Sequence, residues 1–160
     1  MIPSAASRRD AMRMRIVNWS RALRASLEQP LVEIMAKKKV MWRKDPKLED
    51  FSAALSYLSL LCSPAEARSL LAKLRAAKTV SHEAKDLLRA SGLTLLPEDD
   101  AHVAADLKRI HKAKALSPVL LIQGDLRHGR ALLVADGYHR ICASCYVDDS
   151  ARIACRVIPI

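Results

Sequence analysis

No stretch of this sequence approaches the ~18 to 20 uninterrupted apolar residues that a membrane span requires, because a charge, a proline or a glycine interrupts every apolar run early. A membrane protein is therefore not expected. The basic opening Met1-Ile2-Pro3-Ser4-Ala5-Ala6-Ser7-Arg8-Arg9 leads into more arginines and not into an apolar block, so a secretory signal is not expected either. These absences make the cytoplasm the expected compartment. Cysteine is sparse: Cys62, Cys142, Cys145 and Cys155 are the only four. A chain of 160 residues, 51% of them hydrophobic, can build a core without disulfide staples, and free thiols are expected. With no internal repeat and no low-complexity tract, a single compact domain is the simplest organisation.

What the chain has in excess is positive charge, unevenly placed. The formal net charge is +10; residues 1–46 hold 11 Lys/Arg against 4 Asp/Glu, and residues 47–160 hold 16 against 13. Clustered cations gain affinity for a polyanion by releasing its counterions. The first 46 residues are thus read as a basic extension, partly helical or disordered, that is either a solvated tail or a nucleic-acid arm. Composition shifts near Met35, so residues 1–34 read as an addition ahead of an ordinary start. Within them, Met14, Val17, Arg21 and Arg24 share one stripe of a possible helix from Asp10 to Leu27.

From residue 47 the hydrophobic pattern becomes regular. Leu48, Phe51, Leu55, Leu58 and Cys62 are spaced by three and four, which predicts a helix over 48–62. Ser63-Pro64 restarts the chain with an N-cap and a first-turn proline, and Ala67, Leu70, Leu71 and Leu74 supply a second apolar stripe. A third helix is predicted from Ser81 to a stop at Gly92. Glu98-Asp99-Asp100 then puts negative charge at the start of a helix over 99–112. The apolar runs Pro118–Ile122 and Ala131–Ala135 read as buried strands joined by the polar loop Gln123–Arg130. A helix over Tyr138–Val147 and a strand over Ile153–Ile158 complete a helix, strand, strand, helix, strand order, which implies an α+β fold with a small mixed sheet. Three regions follow: the extension over 1–46, a helical region over 47–92 packing on the core, and an α/β core over 93–160.

The strand ending at Asp136 enters its helix through Gly137, leaving free backbone N–H groups beside the positive end of the helix dipole. Gly137 would let a ligand approach the backbone, His139 offers an imidazole donor, and Arg140 offers a planar fork for two phosphate oxygens. Residue types alone leave this as either a phosphate site or a plain structural turn.

The passage Leu132-Leu133-Val134-Ala135-Asp136-Gly137-Tyr138-His139-Arg140-Ile141-Cys142-Ala143 resembles the strand, Gly-x-His-Arg turn and helix of the ParB/sulfiredoxin-like superfamily, which includes ParB N-terminal domains, sulfiredoxins and free-serine kinases. Leu116–Ile122 resembles the family's Pro-led strand, and Ile153–Val157 its closing strand. The resemblance covers about residues 80–160. It implies a nucleotide- or phosphate-binding domain, a phosphotransferase or nuclease-like enzyme in one form, with a nucleotide of ATP or CTP type and magnesium as cofactors. It makes Gly137, Tyr138, His139 and Arg140 ligand-binding candidates, brings Lys114 and Ser117 toward the same region, and leaves Asp136 and His139 as catalytic candidates. Its partner would be a nucleotide or a phosphorylated small molecule. Two departures stand out: Tyr138 occupies the position where sulfiredoxins carry their reactive cysteine, and no second Arg-rich motif follows the closing strand. The alternative is a non-catalytic, DNA-associated or protein-interaction module recruited by the basic arm.

Other groupings have plainer readings. Cys142-Ala143-Ser144-Cys145 puts two thiols on one helix face, but His139 and Arg140 hold the helix start where a redox pair would sit, so both are read as small buried hydrophobes. Zinc would need two more ligands than this pair supplies, and no second pair exists. Asp125 is read as a turn residue and His128, Arg127 and Arg130 as a solvated loop, though that loop could line the same cleft. His82, His102 and His111 are read as solvent-facing or capping residues. Lys108, Arg109, Lys112 and Lys114 complement a helix C-terminus.

Overall fold

Phe51, Ala54 and Leu58 recur at helical spacing and form the buried face of α1 (Leu48–Leu58). Leu48, expected on that face, is exposed. The computed structural model describes residues 39–160; the stripe proposed for Asp10–Leu27 and most of the basic extension lie outside the described residues. The fold already begins before residue 46. Val40 is buried, Trp42 bridges to Leu116, and Arg156 forms an ion pair with Asp45 at 2.6 Å.

α2 (Pro64–Ala76) opens on a full capping box in which the Ser63 hydroxyl accepts from the Glu66 amide and the Glu66 carboxylate accepts from the Ser63 amide. The next element corrects the expectation of a helix from Ser81. Thr79–Glu83 is strand β1, and α3 (Ala84–Ser91) starts only afterwards, ending at Gly92 with φ +66°. Pairing decides this: β1 lies antiparallel along β4 from Thr79 opposite Arg156 to Glu83 opposite Arg152. The β-branched doublet Thr79-Val80 was the available sequence signal.

α4 (Ala101–His111), β2 (Val119–Ile122), β3 (Leu133–Asp136), α5 (Tyr138–Val147) and β4 (Arg152–Ile158) follow within a residue or two of expectation. The sheet order is β1-β4-β2-β3; β2 and β4 run parallel, and the two outer pairs are antiparallel. The α+β class with a mixed sheet is thus what the chain adopts. No helix among the described residues is long and apolar enough to cross a membrane.

β2 explains its own unbroken apolar run. Leu120 and Ile122 pack with Phe51, Leu58 and Leu74 of α1 and α2 on one face, while Val119 and Leu121 pack with Leu87 of α3 and Ile141 of α5 on the other. A strand covered by helices on both sides has no polar face to show. Val103, Leu107 and Ile110 of α4 join Cys142 and Ala143 in a third cluster, which docks α4 against α5. Truncating Leu120, fully buried in the sheet, would cost about 2–5 kcal/mol.

Candidate functional site

β3 delivers the chain to α5 through Gly137, and the cleft that opens there, about 260 Å³, has two principal walls. One is the α5 start with Asp136, Gly137, His139 and Arg140; the other is the face of α4 carrying His102, Asp106 and Arg109. Those α4 positions are three or four residues apart, so they share a face beside the buried stripe Val103, Leu107 and Ile110. Asp50 reaches the cleft from the first turn of α1.

Arg140 is not the free anion ligand that its place in the turn suggested. Its Nη1 donates to Asp50 Oδ1 at 2.8 Å and its Nη2 donates to Asp136, so both ends of the fork are taken by carboxylates. The three side chains are largely buried. Ser117 donates its hydroxyl to Asp50, whose Oδ2 also accepts from the Lys47 amide at 2.7 Å. Burial pushes the Asp50 carboxyl up, but the hydrogen bonds from Ser117 and Arg140, with Arg140's charge, outweigh it and hold the group below its ordinary value. At Asp136 burial wins, and with the nearby Asp50 charge it holds the carboxyl above its ordinary value despite Arg140. Burial works against the Arg140 guanidinium, yet the two carboxylates raise its affinity for its proton.

Gly137 has a packing reason beside the one expected. A Cβ there would lie 2.9 Å from Arg140 Nη2 and 2.9 Å from Val119 Cγ2, and the backbone stands at φ +102°. The missing side chain therefore makes room for Arg140 folding back over its own turn.

The other expected residues separate. His139 lines the cleft, partly exposed, with its ring 4.7 Å from that of His102 and its Nε2 4.0 Å from Asp100 Oδ1. Tyr138 turns away and donates its hydroxyl to the Thr94 carbonyl, tethering the segment ahead of α4. Ser117 is buried behind Asp50, and Lys114 is exposed and not among the cleft residues. The 123–130 loop stands apart: Asp125 caps its short 3₁₀ turn (Leu126–His128) and pairs with His128, and neither Arg127 nor Arg130 reaches the cleft wall. All four cysteines are unpaired; burial raises the Cys142 thiol and pushes those of Cys145 and Cys155 up to about 11, consistent with inert packing.

Asp50, His102, Asp106 and Arg109 are the functional candidates that sequence reasoning missed. The shared face of residues 102, 106 and 109 was a usable signal for three of them; Asp50 had none, since its partner is 90 positions away. Asp106 is buried, and its one close side-chain partner among the described residues is Arg109, whose Nη1 donates at 3.4 Å. Burial raises its carboxyl above the ordinary value, against the opposing pull of Arg140, Arg109 and His139. Among the described residues no three His, Cys, Asp or Glu side chains are grouped to hold a metal ion. No family model, curated protein or solved structure matches the chain.

Proposed function

We propose that this chain is a phosphate- or nucleotide-binding domain of the ParB/sulfiredoxin-like type, with the phosphate seated at the amino end of α5. The observation that carries this reading is the convergence of His102, Arg109 and His139 on one open cleft at a helix start that has no side-chain cap. Amides of the first turn and the dipole favour an anion there, and Arg109, more than half exposed, can swing its guanidinium inward. Arg140 then serves as the brace that holds the turn, and His139 and Arg109 make the side-chain contacts. At about 260 Å³ the cleft lies just under the ~300–1,000 Å³ of sites that enclose a whole small molecule, which suits a phosphate group or chain with the rest of the ligand outside. Magnesium would enter with the phosphates, since it commonly keeps its waters and takes few protein ligands.

A thermal-shift series with inorganic pyrophosphate, ATP, ADP, CTP and GTP, each with and without magnesium, tests the proposal. At about 100 times the dissociation constant a ligand specific for the folded state adds about 2.7 kcal/mol of stability. The expected result is a rise of several degrees that Arg109→Ala and His139→Ala abolish and deletion of residues 1–34 leaves intact. No shift with any of the five, or DNA affinity that falls steeply with salt and disappears with that deletion, would overturn it in favour of an interaction module.

A further inference from the structure

Anion binding in this cleft raises a problem of charge, because Asp50, Asp106 and Asp136 all face it. An incoming phosphate must be accommodated beside three carboxyls, and like charges within a few ångströms disfavour one another. The three are not equivalent. Asp50 accepts from Arg140, Ser117 and the Lys47 amide, and protonating it would forfeit those charge-assisted bonds. Asp136 accepts from the other arm of Arg140. Among the described residues Asp106 has only the long contact from Arg109, a side chain the proposed ligand would itself draw upon.

Resting on the binding reading above, we propose that Asp106 takes up a proton when the cleft binds a phosphate, turning from a repelling carboxylate into a hydroxyl donor to the ligand. The groups that face it set the balance. Arg109 and His102 stand on its own helix, Arg140 and His139 on α5, Asp136 on β3 and Asp50 on α1. Arg140 donates to the other two carboxylates and acts on Asp106 through its charge. Burial already favours the neutral form of Asp106, and a bound anion pushes in the same direction. Binding and protonation at this position therefore reinforce each other, so affinity falls as pH rises.

The test compares the full-length chain with Asp106→Asn, which mimics the protonated form, using inorganic pyrophosphate and ATP as probes between about pH 4.5 and 7.5. The ligand's own titration is shared by both proteins and cancels in the ratio of affinities, and repeating the comparison in a His139→Gln background removes the imidazole coupled to Asp106. The ratio is expected to start near one in acid and to grow with pH to about tenfold in favour of the variant, the equivalent of one pKa unit. Calorimetry of the unmutated protein in buffers of different ionisation enthalpy should independently show proton uptake in excess of that released or taken up by the ligand. A ratio that stays constant with pH, or a variant that binds more weakly throughout, would sink the proton coupling while leaving the phosphate site standing. Absence of saturable binding by either probe at every pH would remove both.

Discussion

Two helix starts in this molecule solve the same problem in opposite ways. At α2 the amides of Ser63 and Glu66 are satisfied reciprocally by the side chains of those same two residues. At α5 the cap is Gly137, which offers no side chain, and the residues that could have closed the start instead serve a distant network through Arg140. A closed start stabilises its own helix. An open one leaves backbone donors facing a cleft, and its stability must come from elsewhere, here from a guanidinium held between carboxylates of α1 and β3.

That contrast predicts a graded series. Arg140→Ala should have the largest effect, about 3–5 kcal/mol, because it leaves Asp50 and Asp136 facing one another with their shared partner gone. Denaturant unfolding at several pH values checks this with a definite sign. The Asp50 carboxyl is held below its ordinary value in the folded state, so its contribution is present above its unfolded pKa of 3.8 and is lost as pH falls through the folded value. The deficit of the variant should shrink in acid; a deficit unchanged with pH would mean that Arg140 acts through packing alone. Gly137→Ala comes next, at about 1–3 kcal/mol, since a Cβ meets both strain at φ +102° and the Arg140 and Val119 side chains. Combining it with Arg140→Ala should give less than the sum, because one of the two collisions is then gone. Ser63→Ala is the smallest, a drop of a few degrees in the unfolding midpoint with no change in pyrophosphate binding. An effect of Ser63→Ala on binding would erase the distinction between the two starts.

Much of the fold was legible because its causes are local. A helix from Leu48, which ends at Leu58 and not at residue 62, the cap at Ser63, the stop at Gly92 and the buried strand Val119–Ile122 follow from spacing, capping chemistry and apolar runs. β1 was not legible in the same way: Ser81 and Glu83 look like a helix entry, and only pairing with β4 holds them extended. The candidate site divides along the same line. Gly137, His139 and Asp136 could be grouped in advance because they sit in one turn, whereas Arg109 was read as complementing a helix C-terminus and Asp106 was not singled out. Arg140 was expected to face a phosphate and pairs with Asp50 and Asp136, since a planar fork fits a carboxylate as well as a phosphate.

By itself the amino-acid order determined the cap at Ser63, the helix stop at Gly92, which strand is covered on both faces, and that a glycine turn would stand before α5. Those outcomes depend on interactions spanning a few residues, which leave a readable period or cap. Only the tertiary structure decided that Asp50 from α1 would neutralise Arg140 and that α4 would bring His102, Asp106 and Arg109 to the same opening. Charge pairing acts through space and carries no sequence period, so the partner of a buried arginine is settled only when the chain has folded around it.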